Sequence, residues 1–204
     1  MTKTNQQKVK DFLINNGVII VMFILVIYTG FTSDNFFTKN NFMNILMNMS
    51  SRLVIALGIA GCVITAGCDL SAGRMIGFGA CISGMLLQRM DYSGKFFPDM
   101  QPLNVFVVAL IAMLVCAAFG TVTGFFIAYL NVPPFIATLA MMEIVYGIGL
   151  IVTNATPLGG YVEQYTNVSN GKFLGINYLI WIAIIVAVIT WFIFNMTRHG
   201  KYMY

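Results

Sequence analysis

Charge is scarce in this chain. Of its 204 residues only 9% are charged, 11 basic and 7 acidic, where a soluble domain carries about 25%. With 59% hydrophobic residues there is too little polar surface to cover a water-soluble globule, so the composition indicates an integral membrane protein. Histidine is limited to His199. The four cysteines, Cys62, Cys68, Cys81 and Cys116, lack Cys-x-x-Cys spacing and read as small packing residues, not as a disulfide or metal framework. Carboxylates paired at a useful spacing for catalysis are missing. So is a Gly-x-x-x-x-Gly-Lys-Ser/Thr phosphate loop, and the chain is not expected to bind ATP that way or to hold a cofactor of its own. No basic run points to nucleic acid. No small-residue cleavage site follows the basic start, so the first apolar stretch reads as a retained span.

What is present is a series of apolar stretches. A membrane-spanning helix needs about 20 mostly apolar residues. Candidates are Phe12–Phe31, Leu53–Gly67, Met75–Met90, Leu103–Leu130, Phe135–Val152 and Tyr178–Phe194. Between the first two, Phe42, Ile45, Leu46 and Met49 fall on one face of a helix, which predicts an amphipathic helix near residues 38–51, lying at the interface or leading into the next span. The fold class is therefore all-α, a polytopic bundle of about six spans, with residues 1–204 as a single transmembrane domain in contact with lipid. Lys3, Lys8 and Lys10 at one end, and Arg198 and Lys201 at the other, place both ends in the cytoplasm. Residues 154–177 read as a polar loop.

Two breaks interrupt the apolar pattern. In Gly67-Cys68-Asp69-Leu70-Ser71-Ala72-Gly73 a carboxylate sits between glycines with apolar sequence on both sides. A charge there is costly and needs a reason. The glycines give backbone freedom, and Asp69 and Ser71 can bond nearby backbone groups. The flanking spans are short, but each can borrow residues from its flank. The break is therefore expected at the end of a membrane segment, with Asp69 accepting bonds from the first amides of the third span. The second break is Asn131-Val132-Pro133-Pro134, where proline ends one helix and opens the next. Just beyond it, Thr138 and Glu143 bring polar groups into the fifth span. Glu143 is expected to face the bundle interior. Gly120, Gly124 and Ala128 form a small-residue stripe, as do Gly73, Gly77 and Cys81, and both are expected to let helices approach closely, within one subunit in preference to a dimer interface.

These marks, followed by Thr197-Arg198-His199-Gly200-Lys201-Tyr202, occur in one order that resembles the permease subunits of bacterial ABC importers for monosaccharides, the ribose and galactose group. Gly-x-Asp-Leu-Ser-x-Gly is the most specific of them. Arg74, Leu87-Gln88-Arg89-Met90-Asp91 and Lys95-Phe96-Phe97-Pro98 look most like the galactose and methyl-galactoside branch. The resemblance covers essentially the whole chain and implies a homodimeric pore in the bacterial cytoplasmic membrane. A second permease copy, a periplasmic sugar-binding protein and an ABC ATPase subunit that holds the ATP would be its partners. It implies about ten spans, of which this chain would be the N-terminal part. Arg198, Gly200 and Lys201 would then lead into a loop that contacts the ATPase. The residues expected to line or shape the sugar path are Gly67, Asp69, Leu70, Ser71, Gly73, Asn131, Pro133, Pro134, Thr138 and Glu143. The competing reading of the same residues is an ion- or proton-coupled secondary carrier with Asp69 or Glu143 as coupling carboxylate.

Overall fold

The computed structural model describes residues 13, 14 and 16–203; the expected cytoplasmic cluster of Lys3, Lys8 and Lys10 lies outside the described residues. The apolar stretches form helices α1 (Gly17–Thr32), α2 (Lys39–Ile64), α3 (Ala72–Leu86), α4 (Val105–Ala128), α5 (Pro134–Val152) and α7 (Tyr178–Met196). Of these, α2, α4, α5 and α7 are long and apolar enough to cross a membrane, while α1 and α3 are shorter apolar helices. The chain is thus an all-α, polytopic membrane protein. The region expected to be a loop before α7 is more ordered than its polarity suggests. It contains α6 (Glu163–Asn170) and an antiparallel hairpin of β1 (Lys172–Phe173) and β2 (Ile176–Asn177). A short α8 (Arg198–Met203) follows α7.

The chain divides into two compact units, Met1–Leu46 and Met47–Tyr204. In the first, Thr29 and Thr32 turn their hydroxyls back onto the carbonyls of Leu25 and Tyr28, which spares α1 an exposed donor. The turn after α1 is held by an edge-to-face pair of Phe36 and Phe37 at 5.1 Å and by Asn41 Nδ2 donating to Phe36 O at 2.8 Å. Thr38 Oγ1 accepts from Asn41 N at 3.3 Å and so caps α2. The amphipathic helix expected near residues 38–51 leads directly into the second span, the second of its two expected placements. Neither proline nor glycine occurs between Asn40 and Ser51, nothing stops the helix, and it continues as one 26-residue α2.

The core of the second unit is the packing of α3, α4 and α5. Phe78 and Ile82 of α3, Ala112 of α4 and Met141 and Val145 of α5 are buried together. Phe78 meets Phe119 edge-to-face at 5.6 Å, a geometry favoured by the ring quadrupoles. Gly79 faces α4, where a Cβ would stand in ordinary contact with Cys116 Sγ at 3.7 Å. The other small-residue positions behave otherwise: Gly73, Gly77, Gly120 and Gly124 have open space where a Cβ would stand. They do not pack helices within the described chain, contrary to the expectation from spacing alone.

At one end of this core a single side chain ties two loops together. Gln88, only 1% exposed, donates from Nε2 to Gly159 O at 3.0 Å and accepts from Phe96 N at 2.7 Å. Beside it, Arg89 N donates to Gly160 O and Val162 N to Leu87 O. The ring of Tyr92 lies over Gly160, whose φ of +70° and lack of Cβ are both needed there. Tyr161 donates to Leu158 O at 2.9 Å, and its phenol is pushed above its ordinary pKa, first by burial and then by Tyr165, Cys81 and Tyr92.

Candidate functional site at the Asp69 break

The opposite end of the core holds both sequence breaks. Helix α2 stops in a Schellman motif: Gly67 N donates to Cys62 O at 2.8 Å and Ala66 N to Val63 O at 3.1 Å. The left-handed residue of that stop is Ala66, at φ 56°, not a glycine. After it the chain runs without regular structure to Ser71, which precedes α3. Asp69 Oδ1 accepts from both the amide (2.8 Å) and the hydroxyl (2.7 Å) of Ser71. This is an Asx turn one step ahead of the helix. Asp69 therefore does not cap the first amides of α3 as the sequence suggested. It holds the N-cap residue itself, whose carbonyl takes the bonds from Arg74 N and Met75 N. The second carboxylate oxygen, Oδ2, accepts nothing among the described residues.

The second break closes on the first. Asn131 adopts φ 53°, a region asparagine tolerates better than most residues. Pro134 then opens α5 at its first position. In the second turn of α5 Thr138, 3% exposed, places its hydroxyl 2.8 Å from Pro134 O and 3.2 Å from Cys68 O. A hydroxyl has one proton to give, so the turn of α5 and the loop before Asp69 share it. A cavity of about 290 Å³ lies where they meet, lined among others by Thr65, Asp69, Ser71, Thr123, Gly124 and Thr138. The open side of the Gly120–Gly124 stripe faces into it.

The helix bounds and the loop contacts place the break relative to its neighbouring helices. Segment two did borrow from its flank, since α2 begins at Lys39. Segment three did so too, since α3 begins at Ala72, directly after Ser71, but it ends at Leu86: its 15 residues span roughly 22 Å at 1.5 Å per residue, short of the roughly 30 Å hydrocarbon layer. The Asp69 loop lies beside Thr138 in the second turn of α5 and beside Thr123 and Gly124, near the end of α4. It is inset from the ends of both neighbours.

Of the residues singled out from the sequence, Gly67, Asp69, Ser71, Pro134 and Thr138 line one cavity. Leu70, Gly73, Asn131 and Pro133 are exposed and shape the two breaks without lining it. Glu143 is not brought to this site. It is exposed on α5 and makes no hydrogen bond or ion pair among the described residues, so the expected interior contact is not made within them. The buried face of α5 is taken by Thr138, Met141 and Val145, and Glu143 falls off that stripe. Arg198 and Lys201 are exposed on α8, and Gly200 is buried against α7, where a Cβ would run into the Phe194 carbonyl. Sequence reasoning missed Thr123, which is 6% exposed and donates to Phe119 O at 3.0 Å. Its signal was a hydroxyl beside two glycines in an otherwise apolar span.

Comparison with known proteins fits these features. The chain is 37% identical, over 98% of its length, to the galactose/methyl galactoside import permease protein MglC of Escherichia coli, and covers 62% of that protein. It is 32% identical over 95% of its length to the MglC of Treponema pallidum, covering 41% of it. Against the ribose import permease protein RbsC of Escherichia coli the identity is 30% over 96% of the chain and 58% of the relative. The chain thus spans about three-fifths of the length of the Escherichia coli relatives. No solved structure gives a match. The family model described as branched-chain amino acid transport system / permease component matches residues 41–204. With the Asp69 break, the Pro-Pro break and α8 all inside the matched region, this chain belongs to that family of membrane permease components.

Proposed function

We propose that the chain is part of the transmembrane permease of an ATP-driven importer that carries a monosaccharide, with galactose or a methyl galactoside favoured over ribose, across the bacterial cytoplasmic membrane. The observation that carries the reading is similarity over nearly the whole chain to galactose/methyl galactoside import permeases, at a higher identity than to ribose import permeases. In this reading an ABC ATPase subunit supplies ATP hydrolysis, a periplasmic binding protein delivers the sugar, and a second permease copy completes the pore. Residues 1–204 contribute one transmembrane domain. Arg198, Gly200 and Lys201 lead toward the ATPase side, and the Asp69 cavity, at the same end of α4 and α5, forms part of the path. Asp69 then has two jobs: Oδ1 fixes the loop and Oδ2 offers the cavity a hydrogen-bond acceptor.

The test is uptake of labelled galactose in cells that express the gene with and without its neighbouring ATPase and binding-protein genes. Uptake should require all three. Uptake by the permease alone, abolished by a protonophore, would establish the secondary-carrier reading instead.

A further inference from the structure

A second polar feature lies away from the Asp69 cavity, on the exposed side of α3 and α5. The Arg74 guanidinium stands 4.0 Å from the centre of the Tyr146 ring. Glu143 is three residues before Tyr146, which on a helix puts it on the same face about 4.5 Å along the axis. All three side chains are exposed, Tyr146 at 41%. Among the described residues the guanidinium has no carboxylate or carbonyl partner, and neither the Tyr146 hydroxyl nor the Glu143 carboxylate is hydrogen-bonded. Glu143 is the tenth of the 19 residues of α5, so it lies at the middle of a span. Charged groups at that depth face water, protein or cargo in preference to lipid.

We propose that Arg74, Tyr146 and Glu143 form a polar wall along which a neutral, hydroxyl-rich solute moves; this rests on the sugar-permease reading above. Three features select that chemistry. Arg74 stacks on Tyr146, and Glu143 lies about one helical turn from Tyr146 on the same helix, so the wall carries one charge of each sign and no net charge to concentrate either an anion or a cation. The guanidinium and phenol supply donors and the carboxylate supplies acceptors, which matches a ring of hydroxyls. The Tyr146 ring adds an aromatic surface beside them. A cavity of about 180 Å³ adjoins, with Arg74, Tyr146 and Thr153 as its polar lining beside Phe78, Val145 and Leu150. That is smaller than the about 300–1,000 Å³ of pockets for drug-sized ligands, and it fits a small solute. The openness of Gly77 gains a purpose here, since a side chain at that position would intrude on this space.

The experiment is thiol accessibility in the complete transporter, with Cys62, Cys68, Cys81 and Cys116 replaced by alanine or serine. Single cysteines are placed as Glu143→Cys, Tyr146→Cys and, as a neighbour at the same depth, Ile144→Cys. The probe is a membrane-impermeant, charged thiol reagent. Positions 143 and 146 should react at least tenfold faster than 144, and galactose should slow them. Equal rates at 143 and 144 overturn the wall. Protection by an amino sugar or a sugar acid but not by galactose overturns its selectivity for neutral solutes. Galactose uptake by the wild type separates the two levels of the argument. Fast labelling without any sugar uptake sinks the sugar-permease reading, whereas normal uptake with unlabelled positions sinks this one.

Discussion

Replacing Gln88 with methionine would test whether one buried amide holds the loop end of the core. The change keeps length and volume and removes both polar atoms. Two backbone groups then lose their partners: the Gly159 carbonyl, bonded at 3.0 Å, and the Phe96 amide, bonded at 2.7 Å. An unsatisfied buried group costs about 1–3 kcal/mol. Both bonds are only partly buried, so each falls in the lower half of that range, and the sum is roughly 2–4 kcal/mol. The flanking backbone bonds, Arg89 to Gly160 and Val162 to Leu87, remain and keep the loss from growing. The assay is equilibrium unfolding of the purified protein in mixed micelles, paired with limited proteolysis of residues 89–102 and 153–162. Gln88→Met should unfold at lower denaturant, and both loops should become cleavable together. Gln88→Glu keeps the acceptor for Phe96 but turns a carboxylate toward the Gly159 carbonyl, so it should not rescue. An unchanged midpoint and unchanged cleavage for Gln88→Met would refute the idea that this side chain couples the loops.

Other consequences can be checked in the same preparation. Asp69→Asn keeps the acceptor that Ser71 uses, so expression should survive, while galactose uptake should fall about 10-fold or more, the scale of a charge-assisted hydrogen bond; Asp69→Leu should lose expression as well. Gly160→Ala should destabilise by more than the about 1–2 kcal/mol of a left-handed non-glycine residue, because the Tyr92 ring occupies the site, and Tyr92→Ala should recover only the excess. Leu174 and Gly175 turn the β1–β2 hairpin with φ 53° and 79°, so Leu174→Asn should slow amide exchange in Lys172–Asn177, reflecting a gain of up to about 1 kcal/mol. The folded protein favours the protonated form of Tyr161. Its contribution is therefore complete below the unfolded value of about 10 and is lost as pH rises through the higher folded value. Between those two values wild-type stability should fall more steeply with pH than that of Tyr161→Phe, and above the folded value the two should run parallel.

How much was legible in the sequence differs from element to element. The apolar stretches gave their helices directly, because hydropathy over about 20 residues is a local property that the membrane reads the same way. The one-sided polarity at the start of α2 left two placements open, at the interface or leading into the span. A helix stops only for a backbone reason, Asn40–Ser51 offers none, and the helix runs on into the span. Residues 154–177 misled in the opposite sense, since α6 and the hairpin are ordered by turn geometry and capping more than by apolar periodicity. The stop of α2 fell where glycine suggested, yet the strained residue is Ala66, one position earlier. Gln88 carried only the faint signal of an amide between a span and a loop.

By itself the sequence determined that this is a helical membrane permease, that a carboxylate interrupts it between α2 and α3, and that two prolines reopen it at α5. It could not determine that these breaks meet. Thr138 and Cys68 are 70 residues apart in the chain, and only the packing of α3, α4 and α5 brings the hydroxyl of one to the carbonyl of the other. Nor could it tell that Glu143 turns away from that core while Arg74 reaches Tyr146. Which face of a helix is buried depends on what packs against it, and that is decided by tertiary contacts, not by the residues of the helix alone.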